Sequence, residues 1–332
     1  MIVKIQPPPR FSLSQLPTPL EILPLSPDPR SRIEILIKRD DLTGSILSGN
    51  KIRKLEFLFY DLVSKKSDIV ITCGGVQSNH CRAVAALCAS SGIECHLVLK
   101  GKAPKTPDGN YFLSTLLGAK SEFVSVAEYE NRINEIMREL AARYAKKGKK
   151  PYIIPEGGSD PLGVWGYVKA LEEIRKQAIK SKIDINAIAC AVGSGGTYAG
   201  LYLGTKLSGW NVKILGYAVC RDSMYFKKRI YDLCLGFEKG ADVDLGIDPR
   251  EFEIDDRFIG PGYARIGPQE TDFIKNVAVN SGIVLDPAYT SKALLGLFTS
   301  VADGRFEKGS NIVFIHTGGQ WGLLPLRRQF KS

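Results

Sequence analysis

With 332 residues the chain has room for two domains at the usual size of roughly 100 to 200 residues each, and 44% apolar with 24% charged residues is the balance of a globular chain, not a disordered or fibrous one. No apolar run reaches the roughly 20 residues that span a bilayer, and Met1-Ile2-Val3-Lys4 runs into Pro7-Pro8-Pro9 without a signal-peptide core, so a cytoplasmic protein with no membrane partner is expected. The net charge of +10 comes from dispersed Lys and Arg without interleaved stacking aromatics, which argues against a nucleic-acid partner.

In chain order, the proline-rich residues 1–32 predict an extended arm. A strand, Ile33 to Ile37, leads through the turn-rich Lys38-Arg39-Asp40-Asp41-Leu42-Thr43-Gly44 to Ser48-Gly49-Asn50-Lys51. There Ile52, Leu55, Leu58, Phe59 and Leu62 fall at helical spacing. Lys51 therefore sits at a helix start, with Ser48 or Asn50 as cap. A strand from Asp68 to Cys73 breaks at Gly74-Gly75-Val76-Gln77, and Ser78-Asn79-His80 opens a second helix. Strands at 93–99, 123–126 and 152–155 alternate with helices at 111–117 and 128–146, and the last strand ends at Glu156-Gly157-Gly158.

The alternation resumes with a helix at 163–180, the strand Ala187 to Val192, the loop Gly193-Ser194-Gly195-Gly196-Thr197 and a helix from Tyr198. A strand at 212–219 and a helix at 223–238 follow. Residues 240–267 are irregular and hold Gly260-Pro261-Gly262-Tyr263. A helix then runs to Asn280, followed by Asp286-Pro287-Ala288-Tyr289-Thr290, another helix, and a strand at 312–315 ending in His316-Thr317-Gly318-Gly319. This βα alternation predicts an α/β fold of open, mostly parallel twisted sheets flanked by helices, with ligands at the carboxyl ends of the strands.

Three loops carry chemistry. A lysine amine in the positive field of a helix start, with Lys54 on the same flank, loses its proton more readily than one in water and is suited to attack carbonyls. The glycines of residues 193–197 expose consecutive N–H groups at a helix start, an anion cradle beside the Thr197 hydroxyl. Tyr198 stands where a dinucleotide fingerprint needs its last glycine and no acid follows about twenty positions on, so a phosphate is favoured over NAD. Gln77, Ser78, Asn79 and His80 offer side chains and helix-start N–H groups to a substrate carboxylate, with Ser78 also able simply to cap its helix. Seven cysteines, an odd count without C-x-x-C, argue against a disulfide framework and a zinc site; no metal is expected.

The segments Leu16-Pro17-Thr18-Pro19-Leu20, Lys38 to Thr43, Ser48 to Glu56 and His316-Thr317-Gly318-Gly319 resemble, over nearly the whole chain, the 1-aminocyclopropane-1-carboxylate deaminase and D-cysteine desulfhydrase family of pyridoxal-phosphate (PLP) enzymes, which share the tryptophan synthase β-subunit fold (fold type II). The resemblance implies a large PLP-binding domain of residues 1–52 and 162–332 with a small domain, 53–161, inserted, and a homodimer. It implies that Lys51 binds PLP covalently, that Asn50 and Asn79 line the cofactor, and that Lys54 with Gly193, Ser194, Gly195, Gly196 and Thr197 holds the phosphate. Gln77, Ser78, Asn79, His80 and Gly318 would bind substrate, and Lys51, Ser78, Tyr263 and Tyr289 would be catalytic, Tyr289 also touching the cofactor. The family's deaminases carry a glutamate at the position of Thr290 and a leucine at that of Thr317. The two threonines match desulfhydrase-like members, where a neutral hydroxyl meets the ring nitrogen. D-Cysteine is the expected substrate, with cyclopropane deamination as the alternative and a PLP- or amino-acid-binding protein without turnover as a reading of another class.

Overall fold

The computed structural model describes residues 5–330, so Met1-Ile2-Val3-Lys4 lies outside the described residues. The N-terminal arm carries a short strand the sequence did not signal, β1 (Leu20–Ile22), before β2 (Glu34–Lys38). Then come α1 (Lys51–Ser64), β3 (Ile69–Gly75), α2 (Asn79–Ser90), β4 (Glu94–Lys100), α3 (Gly109–Leu116), β5 (Lys120–Val124), α4 (Val126–Ala145) and β6 (Pro151–Ile154). The second half runs α5 (Trp165–Ser181), β7 (Ala187–Val192), α6 (Gly196–Ser208), β8 (Lys213–Ala218), α7 (Ser223–Ala241), β9 (Glu253–Asp255), α8 (Pro268–Ser281), α9 (Thr290–Ala302) and β10 (Asn311–Ile315), and closes in a 3₁₀ segment, Gln320–Phe330.

These strands form two sheets. One has the order β1-β2-β10-β7-β8-β9, parallel except for β1, and the other the all-parallel order β5-β4-β3-β6. β9 lies in the stretch 240–267 that reads as irregular; three residues, Glu-Ile-Asp, carry too little alternation to signal a strand, and pairing with β8 makes one of them. All six residues of β7 are buried, as expected of a strand covered by helices on both faces. Among the described residues no helix is long and apolar enough to cross a membrane.

α1 joins the two halves. Ile52, Leu55, Leu58, Phe59 and Leu62 pack into the core of the four-stranded sheet, while Phe57 points into the core of the six-stranded one. At about 25 cal/mol per Å² of apolar surface, each such side chain contributes roughly 1.5–3 kcal/mol. α5 crosses the first turn of α1 at Gly166, where a Cβ would stand 2.5 Å from the Arg53 carbonyl.

Beneath that crossing lies a buried charge network. The Arg53 guanidinium donates to both Asp40 carboxylate oxygens at 2.7 and 2.9 Å and to Glu173 at 3.0 and 3.1 Å. Tyr167 Oη donates to Asp40 at 2.5 Å, and Lys38 Nζ to Thr18 O, Glu173 and Gln177 at 2.5–2.6 Å. Burial works to raise the Asp40 pKa, but Arg53 and Lys38 outweigh it and hold the carboxyl below its ordinary value. The network fixes the helix turn that carries Lys51 against β2 and α5.

Candidate active site

The glycine-rich strand ends converge. The carboxyl ends of β3, β6, β7 and β10, with the start of α1, surround two cavities that share Lys51, Gly193, Ser194 and Tyr289 as common wall. The smaller is completed by Asn50, Asn79, Ala191, Gly195, Thr197 and Thr317. The larger, of about 570 Å³, reaches past Ser78, His80, Glu156 and Tyr263 towards Lys100, Tyr129 and Arg229.

Lys51 is the first residue of α1, as expected, but neither candidate cap performs that role. Asn50 turns its Nδ2 to Thr197 Oγ1, 3.0 Å away, which ties the helix start to the glycine loop. Ser48 Oγ instead meets the Arg82 guanidinium. The turn before the helix is closed by Thr43, whose hydroxyl accepts from Gly49 N at 2.9 Å, and by Asn50 N donating to Thr317 O at 3.1 Å.

Burial pulls the Lys51 pKa down to about 8, against the opposing charges of Glu156 and Asp286. Desolvation therefore does what the sequence assigned to Lys54, and about one amine in ten is neutral at pH 7. Because the neutral form is the nucleophile, acylation of Lys51 by an amine-selective reagent is expected to quicken about tenfold per pH unit up to pH 8 and level off above it, read by mass spectrometry of the Lys51 peptide. A rise that continues to pH 10 would mean an ordinary surface amine.

The loop Gly193–Thr197 leads into α6 through Gly195, whose φ of +85° is left-handed backbone that suits glycine. At Gly193 a Cβ would come within 2.7 Å of the Tyr289 ring. Lys54 lies fully buried beside this loop, and its Nζ reaches only Gly157 O at 3.3 Å and Ser159 Oγ at 3.2 Å. Burial, with Lys51 and Arg229 nearby, holds its pKa well below the ordinary lysine value. No carboxylate among the described residues pairs with it, so an anion seated on the loop would supply the missing counter-charge. Gly196 is a partial exception within the cradle, since its N–H already donates to Ser159 Oγ at 3.2 Å.

The substrate side is narrower than the sequence implied. Ser78 caps α2 by accepting from Cys81 N at 3.2 Å and still faces the larger cavity, so both readings of it hold geometrically. Asn79 Oδ1 accepts from Asn110 at 2.9 Å, leaving its amide N–H₂ beside the smaller cavity. The Gln77 side chain accepts from Asn110 N and donates to Asp108 O, bracing the start of α3, and lines neither cavity. His80 faces the larger cavity, but Thr72 Oγ1 donates to Ile154 O and so accepts from His80 Nε2 at 2.8 Å. Burial, Lys51 and Lys54 keep the ring neutral with Nδ1 an unpaired acceptor, the wrong polarity for a carboxylate. Gly318 packs on Gly49, where a Cβ would meet Gly49 Cα at 2.9 Å, and lines neither cavity.

Tyr263 and Tyr289, 26 residues apart, meet hydroxyl to hydroxyl at 2.8 Å, and burial raises both pKa values so that both stay protonated. The two threonines part company. Thr317 faces the smaller cavity, whereas Thr290 is fully buried and its hydroxyl is engaged by Asp286, donating to the carboxylate at 2.8 Å and accepting from Asp286 N at 2.7 Å. Three residues escaped the sequence reading. Glu156 sits in what reads as a turn glycine motif, Ser159 joins Lys54, Ser194 and Gly196 across the two halves, and Asp286 gathers the N–H groups of residues 288–290.

The family described as "Pyridoxal-phosphate dependent enzyme" matches residues 11–318. Among curated proteins, the chain is 41% identical over 331 residues to a bifunctional D-cysteine desulfhydrase/1-aminocyclopropane-1-carboxylate deaminase of Arabidopsis thaliana, spanning 97% of this chain and 81% of that one. It is 41% identical over 321 residues to a putative 1-aminocyclopropane-1-carboxylate deaminase of Thermotoga maritima, 96% and 99% covered. Among solved structures, an ACC deaminase homologue superposes with a TM-score of 0.88 at 35% identity, over 97% of this chain and 95% of that one. O-ureido-L-serine synthase, at 15% identity and a TM-score of 0.67, shares the fold, with 92% and 90% of the two chains covered.

Proposed function

The chain belongs to the pyridoxal-phosphate dependent enzymes, in the 1-aminocyclopropane-1-carboxylate deaminase and D-cysteine desulfhydrase family, and on that premise we propose that it catalyses α,β-elimination on a β-substituted D-amino acid, D-cysteine giving pyruvate, hydrogen sulfide and ammonia. The residues present fit the cofactor, because a buried Lys54 without a counter-charge lies against the glycine loop, so close that a Cβ on Gly196 would stand 2.8 Å from its Nζ. Lys51 would hold PLP covalently, Lys54 and residues 193–197 its phosphate, Asn79 its ring oxygen and Thr317 its ring nitrogen. When bound, PLP supplies the electron sink for a carbanion at Cα.

The chain's own groups do the rest. The Ser78 hydroxyl and the N-terminal N–H groups of α2 receive the substrate carboxylate. Lys51, neutral in part at physiological pH, takes the α-proton once displaced. In the Tyr263–Tyr289 pair one hydroxyl proton bridges the two oxygens and the other is free to reach the departing sulfur. Gly193 lets Tyr289 close over the loop.

The observation that carries elimination over ring opening is the lining of the smaller cavity: it holds no carboxylate among the described residues, and its hydroxyls are Ser194, Thr197, Tyr289 and Thr317. A neutral partner does not stabilise a protonated ring nitrogen, so the electron sink is weaker and a good leaving group on Cβ is needed. A cyclopropane has none. The test offers the PLP-loaded protein D-cysteine, L-cysteine and 1-aminocyclopropane-1-carboxylate separately and assays sulfide, pyruvate and 2-oxobutyrate. Sulfide and pyruvate from D-cysteine alone are expected; 2-oxobutyrate would transfer the assignment to the deaminase, and no product from any of them would leave a binder.

The proposal includes a domain division at 1–52 with 162–332 against 53–161, supported by the four-stranded sheet's being drawn wholly from residues 69–154. It also includes a homodimer in the cytoplasm, the compartment supported by seven cysteines that are all free.

A further inference from the structure

An amino acid in neutral water arrives as an ammonium carboxylate, and an ammonium nitrogen has no lone pair with which to displace Lys51. One N–H proton must first be lost, and a group in the larger cavity that takes it spares the wait for the scarce free amine in solution. Tyr263 and Tyr289 are protonated donors there, since burial raises their pKa values. His80 has a free lone pair on Nδ1, but burial beside Lys51 and Lys54 opposes adding a charge to it.

Three carboxylates line the cavity. Glu130 pairs with Arg221 at 3.3 Å on a half-exposed edge. Asp160 accepts from Gly163 N at 2.7 Å and closes the turn before α5. Glu156 differs from both: its Oε1 accepts from Tyr129 Oη at 2.7 Å, its Oε2 has no hydrogen bond, and it has no cationic partner among the described residues. It stands directly after β6 and Pro155, followed by Gly157 and Gly158 at φ of +67° and +60°, whose left-handed backbone fixes the turn. The same turn gives Gly157 O and Ser159 Oγ to Lys54, so the carboxylate and the anion cradle are held by one rigid segment.

We infer that Glu156 is the proton acceptor for the incoming substrate ammonium. An N–H bond of the ammonium breaks and an O–H bond forms on Glu156 Oε2, releasing the amine lone pair for attack. The proton on Glu156 and a second N–H proton of the substrate amine pass to the Lys51 nitrogen, which departs as a neutral amine able to take the α-proton, while the third stays on the substrate nitrogen and Glu156 returns to a carboxylate. Tyr129 acts as a positioning residue by occupying Oε1. This rests on the proposed reading that an amino acid enters the larger cavity with its carboxylate at Ser78.

The experiment isolates amine exchange from elimination. 2-Aminoisobutyrate has no α-hydrogen, so with the PLP-loaded protein it exchanges with Lys51 and goes no further, which cofactor absorbance follows by stopped flow. Glu156→Gln is expected to slow exchange about a hundredfold or more at pH 7, with the rate then rising about tenfold per pH unit as free amine accumulates in solution. Glu156→Ala is expected to regain exchange with added formate, which leaves the wild-type rate unmoved. A Glu156→Gln profile parallel to wild type, or a uniform loss in both variants with no pH slope and no formate response, overturns the inference even if D-cysteine elimination stands. Absence of exchange in the wild-type protein overturns the functional reading with it.

Discussion

Lys51→Ala is expected to lower sulfide and pyruvate release from D-cysteine by at least about 10³-fold, because it removes the group assigned as proton acceptor at Cα and as the cofactor's covalent anchor. Borohydride treatment followed by peptide mass spectrometry supplies a second reading: PLP should become fixed on the Lys51 peptide of the wild type and on no peptide of the variant. The fold should survive. The Lys51 side chain is buried on α1 without a hydrogen-bond partner among the described residues, so shortening it orphans no polar group. Retention of more than a few percent of activity by a variant with unchanged circular dichroism would sink the assignment.

Arg53→Ala is expected to be the most damaging single change to stability. Arg53 and Asp40 are each at most 1% exposed, so removing the guanidinium leaves the Asp40 carboxylate buried with only Lys38, Thr18 and Tyr167 nearby, and Glu173 loses its second cation. Breaking a buried pair in this way costs about 3–5 kcal/mol, a large share of the roughly 5–15 kcal/mol that holds a typical domain. Arg53→Lys should recover only part of it, since an ammonium cannot match the two-oxygen contact with Asp40. Urea unfolding followed by circular dichroism measures both, and a loss under 1 kcal/mol for the alanine variant would show that the network is not cohesive.

Much of this architecture is written locally. β7 is an unbroken apolar run covered on both faces, and its predicted limits are those observed. The loops after β3, β7 and β10 announce themselves by glycine, and they do converge. What the sequence conceals is the direction of side chains whose partners are far along the chain. Gln77 is drawn away from the two cavities by Asn110, 33 residues on, and Asn50 away from capping by Thr197, 147 residues on. Thr290 is drawn inward by a carboxylate only four residues earlier, but the tight turn that brings them together has no spacing signature. Glu156 was hidden differently. Beside two glycines it reads as turn chemistry, and its importance comes from Tyr129, which reaches it from α4, and from the cavity wall it shares with Lys51 of α1.

α1 and the Gly166 crossing bear on how the two sheets can move. The chain passes from the six-stranded sheet to the four-stranded one through residues 39–50 and returns through 155–165, and the two passages meet where Gly166 touches Arg53. A rotation of one sheet against the other about these two passages would have its pivot within one helical turn of Lys51. The displacement would grow with distance from that axis, so the outer strands of the four-stranded sheet would swing while the lysine stays nearly still. Geometry of this kind lets the enzyme's mouth breathe without disturbing the atom on which the chemistry is centred.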